Sequence, residues 1–169
     1  TLLADFAGLR GIEALKVEAA CASAAAAVRI GYMAVASGMA NFVACVGVEK
    51  MTDQQGPDVT SALAMAADGD YEALHGVTFV GLNAMLMRRY MQEYGYEKKH
   101  FAPFAVNAHA NGVNNPNAMF RSALSIKAFI DAKPVADPIN LFDSSPIADG
   151  AACVILAPTA IAKEFTDKP

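Results

Sequence analysis

Apolar positions change texture along the chain, and each texture predicts an element. "TLLADFAGLRG" puts Leu2, Leu3, Phe6 and Ala7 on one helical face, with Gly8 or Gly11 as the stop. "IEALKVEAA" alternates or runs apolar over a strand's length, and a helix of small and apolar residues follows from about Cys21 to Ser37, ended by Gly38. "NFVACVGVEKM" is a short run rich in β-branched residues, Val43, Val46 and Val48, and suits a strand buried on both faces. Strand, helix and strand in this order predict a right-handed βαβ crossover with parallel strands.

From about Thr52 the pattern breaks into turn residues and short apolar pieces, which reads as an excursion from the sheet. Inside it "VGLNAMLMRRYMQEYG" is a clear amphipathic helix, with Leu82, Met85, Leu86, Arg89 and Tyr90 on one face and Gly95 as its stop. "YEKKHFAPFAVNAHANGVNNP" continues as a further helix that closes in Asn, Gly and Pro turn chemistry. "SIKAFIDAK" predicts a short helix capped by Ser125, "VADPINLFDSSPIADG" an extended, Pro-punctuated segment, "GAACVILAP" another buried strand, and "TAIAKEF" the start of a helix. The chain opens without Met and closes inside an element, so a fragment of a larger protein is expected.

Composition narrows the class. Hydrophobic residues make up 54% of the 169 positions, enough for one domain with a sizeable core. The most apolar stretch, residues 22–36, is interrupted by Ser23 and Arg29 and falls short of the roughly 20 residues a bilayer span needs, so it is expected as a buried core helix. A helix apolar all round, with the Ala run 24–27, calls for close neighbours on every side. The net charge of -4 leaves no clustered Lys and Arg with which to neutralise phosphates, which argues against nucleic-acid binding. Cys21, Cys45 and Cys153 form neither a disulfide framework nor a metal-binding spacing, so a reducing, cytoplasmic setting and no metal site are expected.

Cys21 carries the candidate chemistry. The nucleophile is the thiolate, and a helix start, with free N–H groups and the positive end of the helix dipole, is a setting that favours it. The alternative is that Cys21 only fills space, as buried cysteines commonly do. Position alone leaves both readings open, and the flanking Ala19, Ala20, Ala22 and Ala24 serve either substrate access or packing. Cys45 and Cys153, inside apolar strands, read as packing residues. A nucleophile also needs a base and an oxyanion hole, and spacing pairs none of His75, His100 or His109 with Cys21; His100, in "EKKHF", reads as part of a solvated face.

"VEAACASAAAAVRIGYMAVASGMANFVACVGVEKMTD" resembles the nucleophile segment of thiolases, nearest to the archaeal acetyl-CoA acetyltransferase and sterol-carrier-type branch. "DYEALHGVTFVGLNAMLMRRYMQEYG", "NAHANGVNNPNAMF" and "DPINLFDSSPIADGAACVILAP" resemble the same branch in the same order, so the likeness covers essentially the whole chain. It implies an α/β thiolase fold, present in part: a βαβ-type sheet with a central buried helix and an inserted, mainly helical loop domain. The implied organisation is 1–50 as part of the N-terminal domain, 51–120 as the loop-domain insertion and 121–169 as the N-terminal domain continued.

The resemblance also implies roles. Cys21 matches the cysteine that thiolases acylate from an acyl-CoA thioester. His75, beside Gly76 and Thr78, falls where the loop domain borders the pantetheine tunnel, a binding candidate only. Ser145 matches a serine that hydrogen-bonds the pantetheine amide, and it equally suits a turn cap before Pro146. The implied reaction is acyl transfer between CoA thioesters by Claisen condensation or thiolysis, with no metal or prosthetic group. A homodimer or tetramer is implied, with an OB-fold partner subunit in some relatives, and no nucleic-acid or membrane partner.

Two departures accompany the likeness. Ala24 and Ala25 stand where glycines usually follow "CAS". The histidine, second cysteine and oxyanion motif that thiolases draw from their C-terminal half have no counterpart in these residues, and Cys45 and Cys153 do not fit the second cysteine. The fragment alone is therefore expected to be inactive. The same helix-start cysteine suits a ketosynthase-like or hydroxymethylglutaryl-CoA synthase-like enzyme. A retro-aldol lyase acting on acyl-CoA side chains, or a non-catalytic scaffold homologue, would do without acylation of Cys21.

Overall fold

In the computed structural model, which describes residues 2–169, seven α-helices and four strands follow one another: α1 Leu2–Phe6, α2 Ser23–Ala36, β1 Val43–Glu49, α3 Gly56–Ala64, α4 Phe79–Tyr94, α5 Ala102–Val113, α6 Ile126–Ile130, β2 Pro134–Ala136, β3 Ile139–Asn140, β4 Gly150–Leu156 and α7 Thr159–Ala162. They divide into two compact units, one made of the residues up to Lys50 with Asp149–Pro169, the other of Met51–Ala148.

In the first unit, β1 and β4 pair antiparallel from Val43↔Leu156 to Glu49↔Gly150. Lys50 and Asp149, where the chain leaves the ladder and returns to it, form an ion pair of 3.3 Å. α2 packs on one face of this ribbon. Gly31 sits so close to it that an added Cβ would meet Cys45 Sγ at 2.6 Å, and Cys45 Sγ itself lies 3.6 Å from the Ala27 carbonyl. Cys45 is 7% exposed. Because strand side chains alternate between faces, Val46, Val48, Cys153 and Ile155 point away from the helix, and all are exposed.

The structure corrects several expectations here. Residues 12–19 form no strand; they run as irregular chain with Ile12 and Leu15 exposed. A strand-length apolar run becomes a strand only when a neighbouring edge pairs with it, and β1 forms its ladder with β4. The parallel βαβ crossover is accordingly replaced by an antiparallel pair closed across the inserted unit. α2 is not enclosed: its buried residue is Gly31, at the contact with β1. Cys153, read as a packing residue, is exposed on the outer face of β4.

The second unit is mainly helical. Its core joins Ala102 and Ala105 of α5 to Phe129 of α6, with Phe101, Leu124 and Phe142 around them. α6 starts where expected, because the Ser125 hydroxyl accepts the Ala128 N–H at 3.1 Å. α4 is capped by Thr78, whose hydroxyl accepts the Gly81 N–H, and it ends at Gly95 in the left-handed conformation. α3 arises in a stretch read as turns, with Pro57 in its first turn, where a missing N–H costs nothing. The Pro-punctuated segment contains the β2–β3 hairpin, tied to α4 by an ion pair between Arg88 and Asp137.

Buried Asn140 closes this unit: its Nδ2 donates to the Phe129 carbonyl at 2.7 Å, and its Oδ1 accepts from Phe142 N–H at 2.7 Å and Asp143 N–H at 3.2 Å. Through α6 and this loop the packing of this compact unit continues to Ala148.

Candidate active site

Cys21 occupies the middle of a 3-10 turn, Ala20–Ala22, that leads directly into α2, and it is exposed. The turn is built on an unusual backbone. Ala20 has φ +48°, in the left-handed region, and among the described residues it is the one non-glycine there. For a residue with a Cβ this conformation costs about 1–3 kcal/mol, and it persists only where the surroundings hold it.

Two polar side chains do so. The Glu18 carboxylate accepts the Ala20 N–H at 2.7 Å, and Ser23 Oγ accepts the Ala19 N–H at 2.9 Å. As a donor, Ser23 Oγ has two acceptors in reach, the Ala20 carbonyl at 2.7 Å and the Glu18 carboxylate at 3.1 Å. The Ala20 N–H first and the Ser23 hydroxyl second hold the Glu18 carboxyl below its ordinary value. The alanines around Cys21 are conspicuous in the sequence, and this polar pair is not. The available signal was an acid and a hydroxyl placed three residues before and two after the cysteine, within an otherwise apolar run.

Beneath the start of α2 a cavity of about 110 Å³ is lined by Ala24, Val28, Cys45, Gly47, Ala152 and Val154. It exists because the ribbon presents Gly47 and Ala152 opposite the small residues of the helix. Burial raises the Cys45 thiol above its ordinary value, with the nearby Cys153 adding to the effect. Cys45 is therefore poorly suited to nucleophilic work.

The other candidates belong to the second unit. His75 ends a 3-10 turn, Ala73–His75, is exposed, and is followed by Gly76 at φ +75°. A cleft of about 240 Å³ opens beside this turn, lined by Ser61 of α3, Met65 just past its end, Gly76 and Thr78; His75 does not line it. The Ser61 hydroxyl is spent on the Pro57 carbonyl.

Ser145 is exposed in irregular chain. The turn-capping contacts in its loop are made by its neighbours: Ser144 Oγ donates to the Asn140 carbonyl at 3.3 Å, and the Asp143 carboxylate accepts the Asn140 N–H at 2.9 Å. The remaining histidines are engaged locally. His100 Nδ1 accepts the Glu97 N–H at 2.8 Å, and His109 Nδ1 lies 3.1 Å from the Ser122 carbonyl with its ring stacked on Phe120. Cys21 thus stands in one unit and His75 and Ser145 in the other. Among the described residues no three His, Cys, Asp or Glu side chains gather as a metal ion would require.

Comparison with known proteins matches residues 3–160 to the thiolase N-terminal domain. The chain is 49% identical over 169 residues to the acetyl-CoA acetyltransferase of Methanothermobacter thermautotrophicus, covering 100% of this chain and 44% of that protein. It is 42% identical over 168 residues to the acetyl-CoA acetyltransferase of Methanocaldococcus jannaschii, covering 99% of this chain and 42% of that one. The chain therefore spans less than half the length of these relatives. Among solved structures it is similar to the Ltp2-ChsH2(DUF35) aldolase, with a TM-score of 0.74 and 26% identity over 96% of this chain and 42% of the other.

Proposed function

The chain belongs to the thiolase family, whose N-terminal domain it matches over residues 3–160, and on that membership we propose that the protein carrying it transfers acetyl or acyl groups between CoA thioesters through Cys21. The observation that carries this reading is an exposed cysteine, held at the turn into α2, in a chain 49% identical throughout to an acetyl-CoA acetyltransferase. The Cys21 sulphur attacks the thioester carbonyl carbon. The new carbon–sulphur bond replaces the bond to CoA, and the thiol proton leaves on the CoA sulphur. In the second half the Cα of another acyl-CoA gives up a proton and attacks the acyl-cysteine. A carbon–carbon bond forms, the bond to Cys21 breaks, and the thiolate recovers a proton. Thiolysis is the same sequence reversed.

The thioester itself supplies the activation, so the reaction is assigned without a cofactor. Exposed His75 and Ser145 are offered to the pantetheine arm, Ser145 the more readily because its neighbours already cap the turn. The unpaired thiols suit the reducing cytoplasm. A homodimer or tetramer is the proposed assembly, and the relative whose name couples Ltp2 to a DUF35 protein supports testing for a second kind of subunit.

That relative also favours a second reading, cleavage of acyl-CoA side chains as an aldolase would perform it. The Cys21→Ala variant separates the two. With radiolabelled acetyl-CoA as donor, acyl transfer predicts a loss of label and turnover by about a thousandfold or more. Full turnover by Cys21→Ala would overturn the acyl-enzyme reading in favour of the lyase.

A further inference from the structure

We infer that Glu18 and Ser23 are positioning residues for the acylation of Cys21: together they hold Ala20 in the left-handed conformation that sets the direction of the cysteine. The inference rests on the reading of Cys21 as the acylated nucleophile. Its own support is the geometry around residue 20.

The backbone enters the turn with Ala19 at φ -153° and ψ 40°, then reverses hand at Ala20 with φ +48° before the helical residues begin. A side chain one residue beyond such a reversal points differently from one on a regular helix start. Without support, an alanine relaxes to negative φ and carries the next residue with it. The support falls on the two peptide units that flank the Ala20 Cα. The Ala20 N–H is taken by the Glu18 carboxylate and the Ala20 carbonyl by the Ser23 hydroxyl, while the two side chains touch each other at 3.1 Å. The Ala19 N–H is held by the same Ser23 oxygen. Both polar groups of residue 20 and the N–H before it are thus engaged by these two side chains, with the Ser23 backbone N–H as a second donor to the Ala20 carbonyl.

Attack on a thioester carbonyl demands alignment of the sulphur with the carbonyl carbon, so a small rotation of the cysteine matters to acylation. It matters little to a freely diffusing alkylating agent, which approaches from any open side. The two reactions therefore distinguish aim from intrinsic thiol reactivity.

The experiment uses the protein as its gene encodes it, and measures single-turnover acetylation of Cys21 by acetyl-CoA and alkylation of Cys21 by iodoacetamide. For Glu18→Ala and Ser23→Ala the expected result is acetylation slowed by about tenfold to a hundredfold. Half-saturation by acetyl-CoA stays within about twofold, and alkylation stays within about threefold of the parent. Glu18→Gln, which keeps the length and one acceptor oxygen, retains most of the parent rate. Ala20→Gly, which adopts positive φ without help, restores much of the rate when combined with Glu18→Ala.

Acetylation of Glu18→Ala at the parent rate would overturn the inference and leave the role of Cys21 intact. Parallel loss of acetylation and alkylation, unrelieved by Ala20→Gly, would also overturn it, by showing that the pair only maintains the fold. Failure of the parent itself to acetylate at Cys21 would overturn the proposed function, and the inference with it.

Discussion

Cys21, Cys45 and Cys153 show how far one residue type diverges with its surroundings. Cys45 lies under α2, where burial raises its thiol and so lowers the thiolate fraction at neutral pH. Iodoacetamide at pH 7 is expected to leave Cys45 unmodified in the folded protein and to label it fully in denaturant, as peptide mapping would record. Rapid labelling of Cys45 in the native state would contradict its placement. Glu18 carries the opposite sign. Its folded value is depressed below 4.5, so what it adds to the turn is present above 4.5 and is lost as the pH falls through its lowered value. In Ser23→Ala the carboxyl should titrate closer to 4.5 but still below it, because the Ala20 N–H is the larger cause; an NMR titration of the Glu18 side chain measures this. Unchanged titration would mean that the serine contact is not formed. Residue identity made Cys21 legible as a candidate. The Glu18–Ser23 pair was not, since it is recognisable only once the chain reverses hand at Ala20.

Among elements, the helices were the most readable, because their apolar periodicity and end signals are local. α4 stops at Gly95 and α6 starts at Ser125, as the sequence indicated, each by a contact within a few residues. The strand expected over 12–20 failed for a nonlocal reason: alternation expresses a propensity, while a ladder needs an edge supplied from elsewhere in the chain. The same limit made β1 look like part of a parallel crossover, although β4, its partner across the whole insertion, was itself recognised as a strand. The contact of α2 with the ribbon makes the element-scale prediction. In Gly31→Ala the added methyl meets Cys45 Sγ at 2.6 Å and Val43 and Leu156 at 3.1 Å, so overpacking should lower stability by about 1–3 kcal/mol in urea denaturation. Adding Cys45→Ala removes the closest of these contacts and should return part of the loss. An undiminished midpoint in Gly31→Ala would contradict the close approach of helix and ribbon.

At the scale of the whole molecule, the thiolase fold was legible because four segments resembled the family in order, and the family match over 3–160 agrees. What order along the chain does not encode is burial, which depends on everything packed around an element. β1 and β4 were read as enclosed, yet Val46 of β1 is 46% exposed and Ile155 of β4 70%. No helix among the described residues is long and apolar enough to cross a membrane, in keeping with the interruption of residues 22–36 by Ser23 and Arg29. Cys21 falls in one compact unit and His75 and Ser145 in the other; the excursion beginning near Thr52 was expected to hold His75, whereas Ser145 was expected in the same domain as Cys21. The central claim is that Cys21 accepts an acyl group. The most direct measurement is the intact mass of the protein before and after incubation with acetyl-CoA, followed by peptide mapping. The account predicts one added acetyl group, on the peptide containing Cys21 and absent from Cys21→Ala. An unchanged mass, or an acetyl group that persists in Cys21→Ala, would contradict it.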